Sequence, residues 1–475
     1  MHQKKTKIIC TLGPASNNEK TLTEMLKNGM NVARLNFSHG SHEYHKGNIE
    51  LFRRVRDQLK FPAAVLLDTR GPEIRIGDFR DGHISLKSGA TFVFTSEEIL
   101  GDETRVSITY KDLPSQLSIG CTILVDDGNV AMTVTELTET DVICTVQVGG
   151  ELSNHKGVNI PNVHLDLPYL SEQDEADLRF GVEQDVDYIA ASFVRCKEDV
   201  LTLRNFLDYH GGQNIRIIAK IENIEGVQNF DEILSCADGI MVARGDMGVE
   251  IDYVQLPGLQ KKFIRKCYQA GKIVITATQM LESMIHNARP TRAEITDVAN
   301  AVFDGTSAIM LSGETAVGDH PALVVKTMSK IALQAEADAF EMCIYHDVPY
   351  ENDRDDATNA ICDAACTTAR DVHAAAILAI TQSGYTARGV SKFRPAQHII
   401  APTPTIKTFH QLALSWGVYP VMAVYQPDAN VLFTHAIACA KLHGLVHEGD
   451  RVVITAGTGD VTDLLKVETV HSRRK

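Results

Sequence analysis

Ile215-Arg-Ile-Ile-Ala-Lys-Ile-Glu-Asn223, followed after a helical interval by Gly239-Ile-Met-Val-Ala-Arg-Gly-Asp-Met-Gly248, is the stretch that decides the fold. Each half opens on a short run that is apolar on both faces and ends in charged residues. A strand of that kind must be covered on both sides, the situation of a buried parallel sheet. Six further runs share the pattern: Lys7 to Leu12, Asn31 to Leu35, Ala63 to Leu67, Val186 to Ser192, Ile273 to Ala277 and Ala308 to Leu311. Helix signals separate them. Glu19 to Asn28 sets Leu22, Met25 and Leu26 at helical spacing and stops at Gly29, and Ser171-Glu-Gln-Asp174 and Thr291-Arg-Ala-Glu294 match capping boxes. Eight strand-helix units in series point to an α/β protein built on a (β/α)8 TIM barrel, ahead of an open doubly wound sheet.

After the third run the pattern changes. Thr91-Phe-Val-Phe94, Thr122-Ile-Leu-Val125, Val130-Ala-Met-Thr-Val134 and Val142-Ile-Cys-Thr-Val146 alternate, with turns at Asp81-Gly82 and Asp127-Gly128. The barrel is therefore expected over 1–70 and 168–342, with a small all-β, barrel-like lid inserted at 71–167. A polar, acidic linker follows at 343–356. From 357 to 475 a second α/β pattern, with strand candidates at Ala375 to Thr381, His398 to Ala401, Val418 to Val424, Arg451 to Thr455 and Leu465 to Val470, predicts a C-terminal open-sheet domain.

The 475 residues allow several cores, and 44% hydrophobic with 23% charged residues is the balance of a folded soluble chain. Lys plus Arg number 46 against 61 Asp plus Glu, a formal net charge of −15, which argues against broad binding of nucleic acid or anionic membrane. Any phosphate site must then be built from a few placed cations. The ten cysteines show no C-x-x-C pair or zinc spacing, and Cys362 and Cys366 share one helix face as core residues. No apolar run reaches the roughly 18 residues of a membrane span, and the N-terminus has no secretory h-region, so a cytoplasmic, thiol-reduced protein is expected.

Barrel chemistry gathers at the C-terminal strand ends. Run two ends in Arg34-Leu-Asn36-Phe37-Ser38-His39, run three in Asp68-Thr69-Arg70, run five in Lys220-Ile-Glu222, run six in Arg244-Gly245-Asp246, run seven in Thr278-Gln279 and run eight in Ser312-Gly-Glu314. Singly, each has a structural explanation as a rim ion pair or helix cap. Together they set cations and carboxylates around one mouth, where mutual desolvation is costly unless a ligand compensates. Glu222 and Asp246 are hard oxygen donors suited to Mg²⁺, and Arg34 and Lys220 suit phosphate. The Gly245 amide, in a Gly-rich turn before a helix, suits a carboxylate. These are the parts of phosphoryl transfer, without a P-loop or protein-kinase signature.

Seven blocks carry a resemblance. Thr11-Leu-Gly-Pro-Ala-Ser16, Ala33-Arg-Leu-Asn-Phe-Ser-His-Gly40, Leu67-Asp-Thr-Arg-Gly-Pro-Glu-Ile-Arg75, Ile218-Ala-Lys-Ile-Glu-Asn223, Met241-Val-Ala-Arg-Gly-Asp-Met-Gly-Val-Glu250, Thr276-Ala-Thr-Gln-Met-Leu-Glu-Ser-Met284 and Met310-Leu-Ser-Gly-Glu-Thr-Ala316 resemble, in order and spacing, the signature blocks of the pyruvate kinase family, bacterial type. The resemblance implies transfer of the phosphoryl group of phosphoenolpyruvate to ADP, giving pyruvate and ATP, the last step of glycolysis. Carried over, it makes Lys220 the transition-state stabiliser, Glu222 and Asp246 the Mg²⁺ (or Mn²⁺) ligands, and Arg34 a phosphate grip. Gly245, Asp246 and Thr278 hold the substrate carboxylate. Thr278, with Ser312 and Glu314, relays the proton to the enolate, and because a threonine hydroxyl is a poor acid, an ordered water is its expected source.

The same likeness gives K⁺ to Asn36, Ser38, Asp68 and the Thr69 carbonyl, with Glu73 marking K⁺ dependence. It gives the ADP phosphates to Arg75 and Lys156, with Asn36, Phe37, Ser38 and His39 lining that site. Thr381-Gln-Ser383-Gly384-Tyr-Thr386 resembles the cradle of a phosphorylated allosteric activator, with Lys392 and Arg394 as further cations. Asp460 and Asp463 in the terminal loop would repel phosphate, so a sugar bisphosphate, a sugar monophosphate and AMP all stay open. A homotetramer is implied. The competing classes are a Mg²⁺-dependent aldolase or lyase acting on pyruvate, which needs no nucleotide lid, and a metabolite sensor without catalysis, which needs no intact Lys220, Glu222, Asp246 and Thr278.

Overall fold

The structure, a computed structural model, describes residues 4–346, 356–457 and 461–471. Eight parallel strands close into a barrel, and every one falls on an expected run. They are β1 (Lys7–Thr11), β2 (Val32–Asn36), β3 (Ala64–Asp68), β4 (Tyr188–Ala191), β5 (Arg216–Ile221), β6 (Gly239–Ala243), β7 (Ile273–Ala277) and β8 (Ala308–Leu311). Neighbours in sequence are neighbours in the sheet, and β8 returns to β1 with Lys7 opposite Ala308 and Cys10 opposite Leu311. That closure removes the sheet edges.

The alternation of side chains explains the double core. Ile9, Val32, Ala64, Leu66, Tyr188, Ala190, Ile218, Met241 and Ile275 fill the barrel interior. Their alternating neighbours, among them Ile8, Ala33, Val65, Ile189, Ile217 and Ile240, pack outward against the helices. Two of those helices carry the reciprocal caps read from sequence, Ser171 with Asp174 on Glu172–Glu183 and Thr291 with Glu294 on Arg292–Phe303. The helix Glu19–Lys27 stops where expected, Gly29 taking a φ of 116°.

Between β3 and β4 the chain leaves the barrel for a seven-stranded sheet around a separate core. It includes the four alternating runs, as Thr91–Thr95, Thr122–Val125, Val130–Leu137 and Asp141–Val148. The strands Ile74–Arg75, Arg105–Ser107 and Gly157–Asn159 hold too few side chains to show a period, and His83–Leu86 and Gly150–Ser153, also outside the expected runs, pair as a separate two-stranded sheet. Residues 347–355 of the expected linker lie outside the described residues.

The C-terminal sheet has five strands: β9 (Ala376–Ala379), β10 (His398–Thr403), β11 (Val418–Met422), β12 (Arg451–Gly457) and β13 (Thr462–Thr469). Its order is β11-β10-β9-β12-β13, with β13 antiparallel to β12. Cys362 and Cys366 sit buried on the helix Ala357–Asp371, as core residues.

This sheet is bound to the N-terminal end of the barrel. Lys407 bridges to Asp185 at 2.6 Å, and the Tyr188 hydroxyl donates to the Gln411 carbonyl at 2.7 Å. The segment before β1 joins in, Lys7 Nζ donating to the Val418 carbonyl at 2.7 Å. No helix among the described residues is long and apolar enough to cross a membrane.

Candidate functional site

Lys220 and Glu222 stand two residues apart at the end of β5, so their side chains leave the strand on one face. Nζ of Lys220 lies 2.9 Å from Glu222 Oε1, 3.0 Å from Asp68 Oδ1 and 2.7 Å from Ser192 Oγ. Asp68 closes β3, and its other oxygen accepts from Arg34 Nε at 2.6 Å. Arg34, from β2, also donates to Thr11 Oγ1 at 2.9 Å, so strand ends one, two, three and five share one buried network.

The electrostatics follow from burial and charge. Lys220 loses hydration, yet Asp68, Glu222 and Asp246 outweigh that loss and hold its ammonium above its ordinary value. Burial of Asp68 is likewise outweighed, here by Arg34 and Lys220, and its carboxyl is lowered. Glu222 goes the other way. Burial pushes it up, Lys220 pulling down and the like charge of Asp246 pushing further. Two carboxylates that repel each other in a buried site are what a divalent cation would relieve. Among the described residues no three His, Cys, Asp or Glu side chains converge as a closed metal cage. A pair of hard oxygens matches an ion whose remaining positions go to water and substrate.

Asp246 and Gly245 lie in the short helix Arg244–Glu250 after β6. That helix already begins at Arg244, so Gly245 sits in its first turn and not in a loop before it. The reason is across the mouth, after β7: Thr278 and Gln279 adopt φ of 69° and 54°, and the left-handed turn brings Thr278 Oγ1 within 2.8 Å of the Gly245 N–H. A β-branched residue in that region is strained, and such strain gathers at functional sites.

Glu314 is buried and raised by its burial, its bonds to backbone N–H groups pulling down. Those bonds come from Ser312 at 2.6 Å and Leu281 at 3.2 Å. Glu314 thus ties the end of β8 to the loop that carries Thr278. Among the described residues no direct hydrogen bond from Ser312 or Glu314 reaches Thr278.

The residues expected at the nucleotide are less gathered. Arg75 makes a two-nitrogen contact with Glu73 Oε2 at 2.6 and 2.9 Å, and Lys156 Nζ is 2.6 Å from Asp126 Oδ1. Both cations are thus ion-paired within the inserted sheet and its turns. Asn36 Oδ1 accepts from the Ser38 N–H at 3.2 Å, and His39 is exposed. Phe37 turns inward instead, its ring stacked on His45 at 4.1 Å in the barrel core. A cleft of about 110 Å³ between the inserted sheet and the barrel is lined by Asp127, Phe193, Asp246 and Glu250, and Asn159 Nδ2 reaches across to Glu250 Oε1 at 2.9 Å.

In the C-terminal domain, Gly384 takes a φ of 85° and its N–H donates to Thr381 Oγ1 at 2.9 Å. The exposed Ser383 offers its carbonyl to Arg388 at 3.1 Å and to Arg216, the first residue of β5, at 3.4 Å. Thr386 shares a hydroxyl bond of 2.8 Å with Thr462. Lys392 reaches Asn359 at 3.3 Å, and Arg394 is buried on carbonyl and hydroxyl oxygens. Asp460 lies outside the described residues.

Residues 3–325 match the model of the pyruvate kinase barrel domain, and residues 359–468 match that of the pyruvate kinase alpha/beta domain. The chain belongs to the pyruvate kinase family. It is a phosphotransferase, and relatives named pyruvate kinase support that over the full length. The protein of Clostridium acetobutylicum is 48% identical over 98% of this chain and 100% of its own, and that of Clostridium perfringens is 49% identical over the same shares. The protein of Staphylococcus haemolyticus is 48% identical over 98% of this chain, which spans 80% of that longer relative.

Sequence reasoning passed over Ser192, Thr11 and the Phe193 N–H, which donates to Glu222 Oε2 at 2.7 Å. Ser192 ends run four, and Thr11 is the last residue of β1. The strand-end rule, which singled out the hydroxyls of Thr278 and Ser312, could have found both. Nothing local announces the Phe193 amide.

Proposed function

We propose that this enzyme moves the phosphoryl group of phosphoenolpyruvate onto ADP at the mouth of the barrel. The P–O bond to the enol oxygen breaks, a P–O bond to the terminal oxygen of ADP forms, and the enolate takes a proton at its terminal carbon to give pyruvate. The observation that carries this reading is the Lys220 ammonium, buried and kept charged between Asp68 and Glu222, with Arg34 beyond Asp68. Charge held in place before the reaction is what a phosphoryl group in flight requires, since positioning and electrostatics supply nearly all of that catalysis.

Arg34 and Lys220 grip the phosphoryl group, Lys220 most strongly when its charge is spread in the transition state. Gly245, Asp246 and Thr278 seat the carboxylate, the Gly245 N–H exchanging its bond to Thr278 for the substrate. Thr278, steadied through the loop that Glu314 and Ser312 brace, relays a water's proton to the enolate. Glu222 and Asp246 would hold Mg²⁺ or Mn²⁺, which when bound neutralises charge on the phosphoryl oxygens. Asn36, Ser38, Asp68 and the Thr69 carbonyl, all oxygens with one formal charge, would hold K⁺ beside them.

Arg75 and Lys156 serve the ADP phosphates after leaving Glu73 and Asp126, with Asn36, Ser38 and His39 along that side. Phe37 acts there only through its backbone. The segment 71–167 acts as a lid that excludes water, and the chain divides into barrel, lid, linker and C-terminal domain at the boundaries expected above. Thr381, Ser383, Gly384 and Thr386 receive a phosphorylated activator, a sugar phosphate or AMP. The helix Ala429–Leu442 presents exposed Val431 and Leu442, a surface suited to subunit contact in a homotetramer. The enzyme works in the cytoplasm.

A coupled assay of pyruvate formation from phosphoenolpyruvate and ADP tests the reading. Activity should require Mg²⁺ and rise on adding K⁺, because Glu73 brings no positive charge of its own. Full activity with tetramethylammonium in place of K⁺ would overturn the monovalent site. No activity with sugar phosphates and AMP added would overturn the kinase.

A further inference from the structure

Ser192 and Phe193, at the end of β4, carry no ionisable group, yet they touch both halves of the phosphoryl apparatus. Ser192 is buried, 1% exposed. Its Oγ lies 2.6 Å from the Thr69 carbonyl and 3.2 Å from Asp68 Oδ1, both of which only accept, so the hydroxyl hydrogen goes to that side and a lone pair faces Lys220 Nζ at 2.7 Å. The next residue, Phe193, has a φ of 52° and turns its N–H onto Glu222 Oε2. A bulky side chain in the left-handed region persists only where its surroundings hold it.

Those surroundings are the two crossings of the lid chain. On the way out, Gly71 packs so closely that a Cβ there would meet Ser192 Cβ at 2.9 Å. On the way back, the Tyr169 hydroxyl donates to the Ser192 carbonyl at 3.2 Å.

An ammonium has three N–H directions, and here they go to Asp68, Glu222 and Ser192. Two carboxylates alone would draw Nζ onto the line between them. The third, neutral acceptor sets the angle without cancelling charge. We propose that Ser192 is a positioning residue for phosphoryl transfer, its hydroxyl fixing the direction of the Lys220 ammonium. This rests on the role given to Lys220 above.

The test is a double-mutant cycle in the full-length enzyme, using Ser192→Ala, Lys220→Met and the pair, with kcat, KM for phosphoenolpyruvate and Mn²⁺ binding measured for each. Ser192→Ala should lower kcat roughly 10- to 100-fold, the worth of one hydrogen bond to a charged group, with KM and Mn²⁺ affinity within about threefold. In the Lys220→Met background the same change should cost less than about twofold. Ser192→Cys, nearly the same shape with a weak acceptor, should match Ser192→Ala and stands in for it if the alanine variant does not fold.

Equal losses from Ser192→Ala in both backgrounds would overturn the proposal, since the serine would then act apart from the lysine. So would an unchanged kcat in Ser192→Ala beside a collapsed Lys220→Met, and in that case the lysine's own role stands. A Lys220→Met loss of tenfold or less overturns both.

Discussion

Lys220 concentrates the chemistry at the scale of single residues. Its charge is stabilised by Asp68, Glu222 and Asp246 in a site where water is scarce, so its removal takes away transition-state stabilisation and leaves the carboxylates in place. Lys220→Met should lower kcat about a thousandfold or more, in the range of charge-stabilising arginines in other phosphoryl transfers, while Mn²⁺ binding followed by electron paramagnetic resonance persists. Loss of metal binding together with activity would show instead that the lysine builds the site. Lys220, Glu222 and Asp246 were legible in the sequence because each ends a run that is otherwise apolar. Ser192 stood at a strand end too, but its contacts with Lys220 and the Thr69 carbonyl come from other strands and carry no local signal. The inward turn of Phe37 was hidden for the same reason: its stacking partner, His45, comes from the next helix.

Capping and periodicity govern the elements. On the helix Arg292–Phe303, partial burial raises Glu294, but the hydroxyl and N–H groups of Ser283 and Thr291 outweigh it, and the carboxyl is lowered. A lowered carboxyl stabilises the fold above its unfolded value near 4.3 and stops doing so as pH falls through the folded value. Glu294→Gln should therefore reduce the thermal midpoint at pH 6, and the gap to wild type should shrink toward pH 3. A gap that stays constant with pH would mean that the carboxylate charge has no part in the cap. Thr291→Ala, which removes the other half of the box, should cost about 1 kcal/mol. These boxes could be written down from four residues each, as could the barrel strands from their apolar runs. The short strands of the inserted sheet could not, because pairing across the sheet and not local pattern defines them.

Across the whole molecule, the segment before β1 joins the two α/β units. The Lys5 and Thr6 N–H groups donate to Glu336, Lys5 Nζ reaches the Gln397 carbonyl at 2.8 Å, and Lys5 lies over the Trp416 ring at 5.3 Å. Burial lowers Lys5 to about 8, Glu336 pulling the other way. Between that value and the unfolded one near 10.4 the unfolded chain binds the extra proton, so this group's contribution to stability rises with pH. Lys5→Met should accordingly compare most favourably with wild type below pH 8 and lose that advantage by pH 10, in paired thermal midpoints. A difference independent of pH would mean that Lys5 titrates alike in both states. The order of the barrel strands and helices, and the chemistry at six of the eight strand ends, follow from the sequence alone, because alternation and capping act over a few residues. Only the tertiary structure decided that Lys220 meets Asp68 from 152 positions away, or that Lys5 meets Glu336 from 331, because such contacts depend on closing the barrel and docking the second sheet, and no local period encodes either.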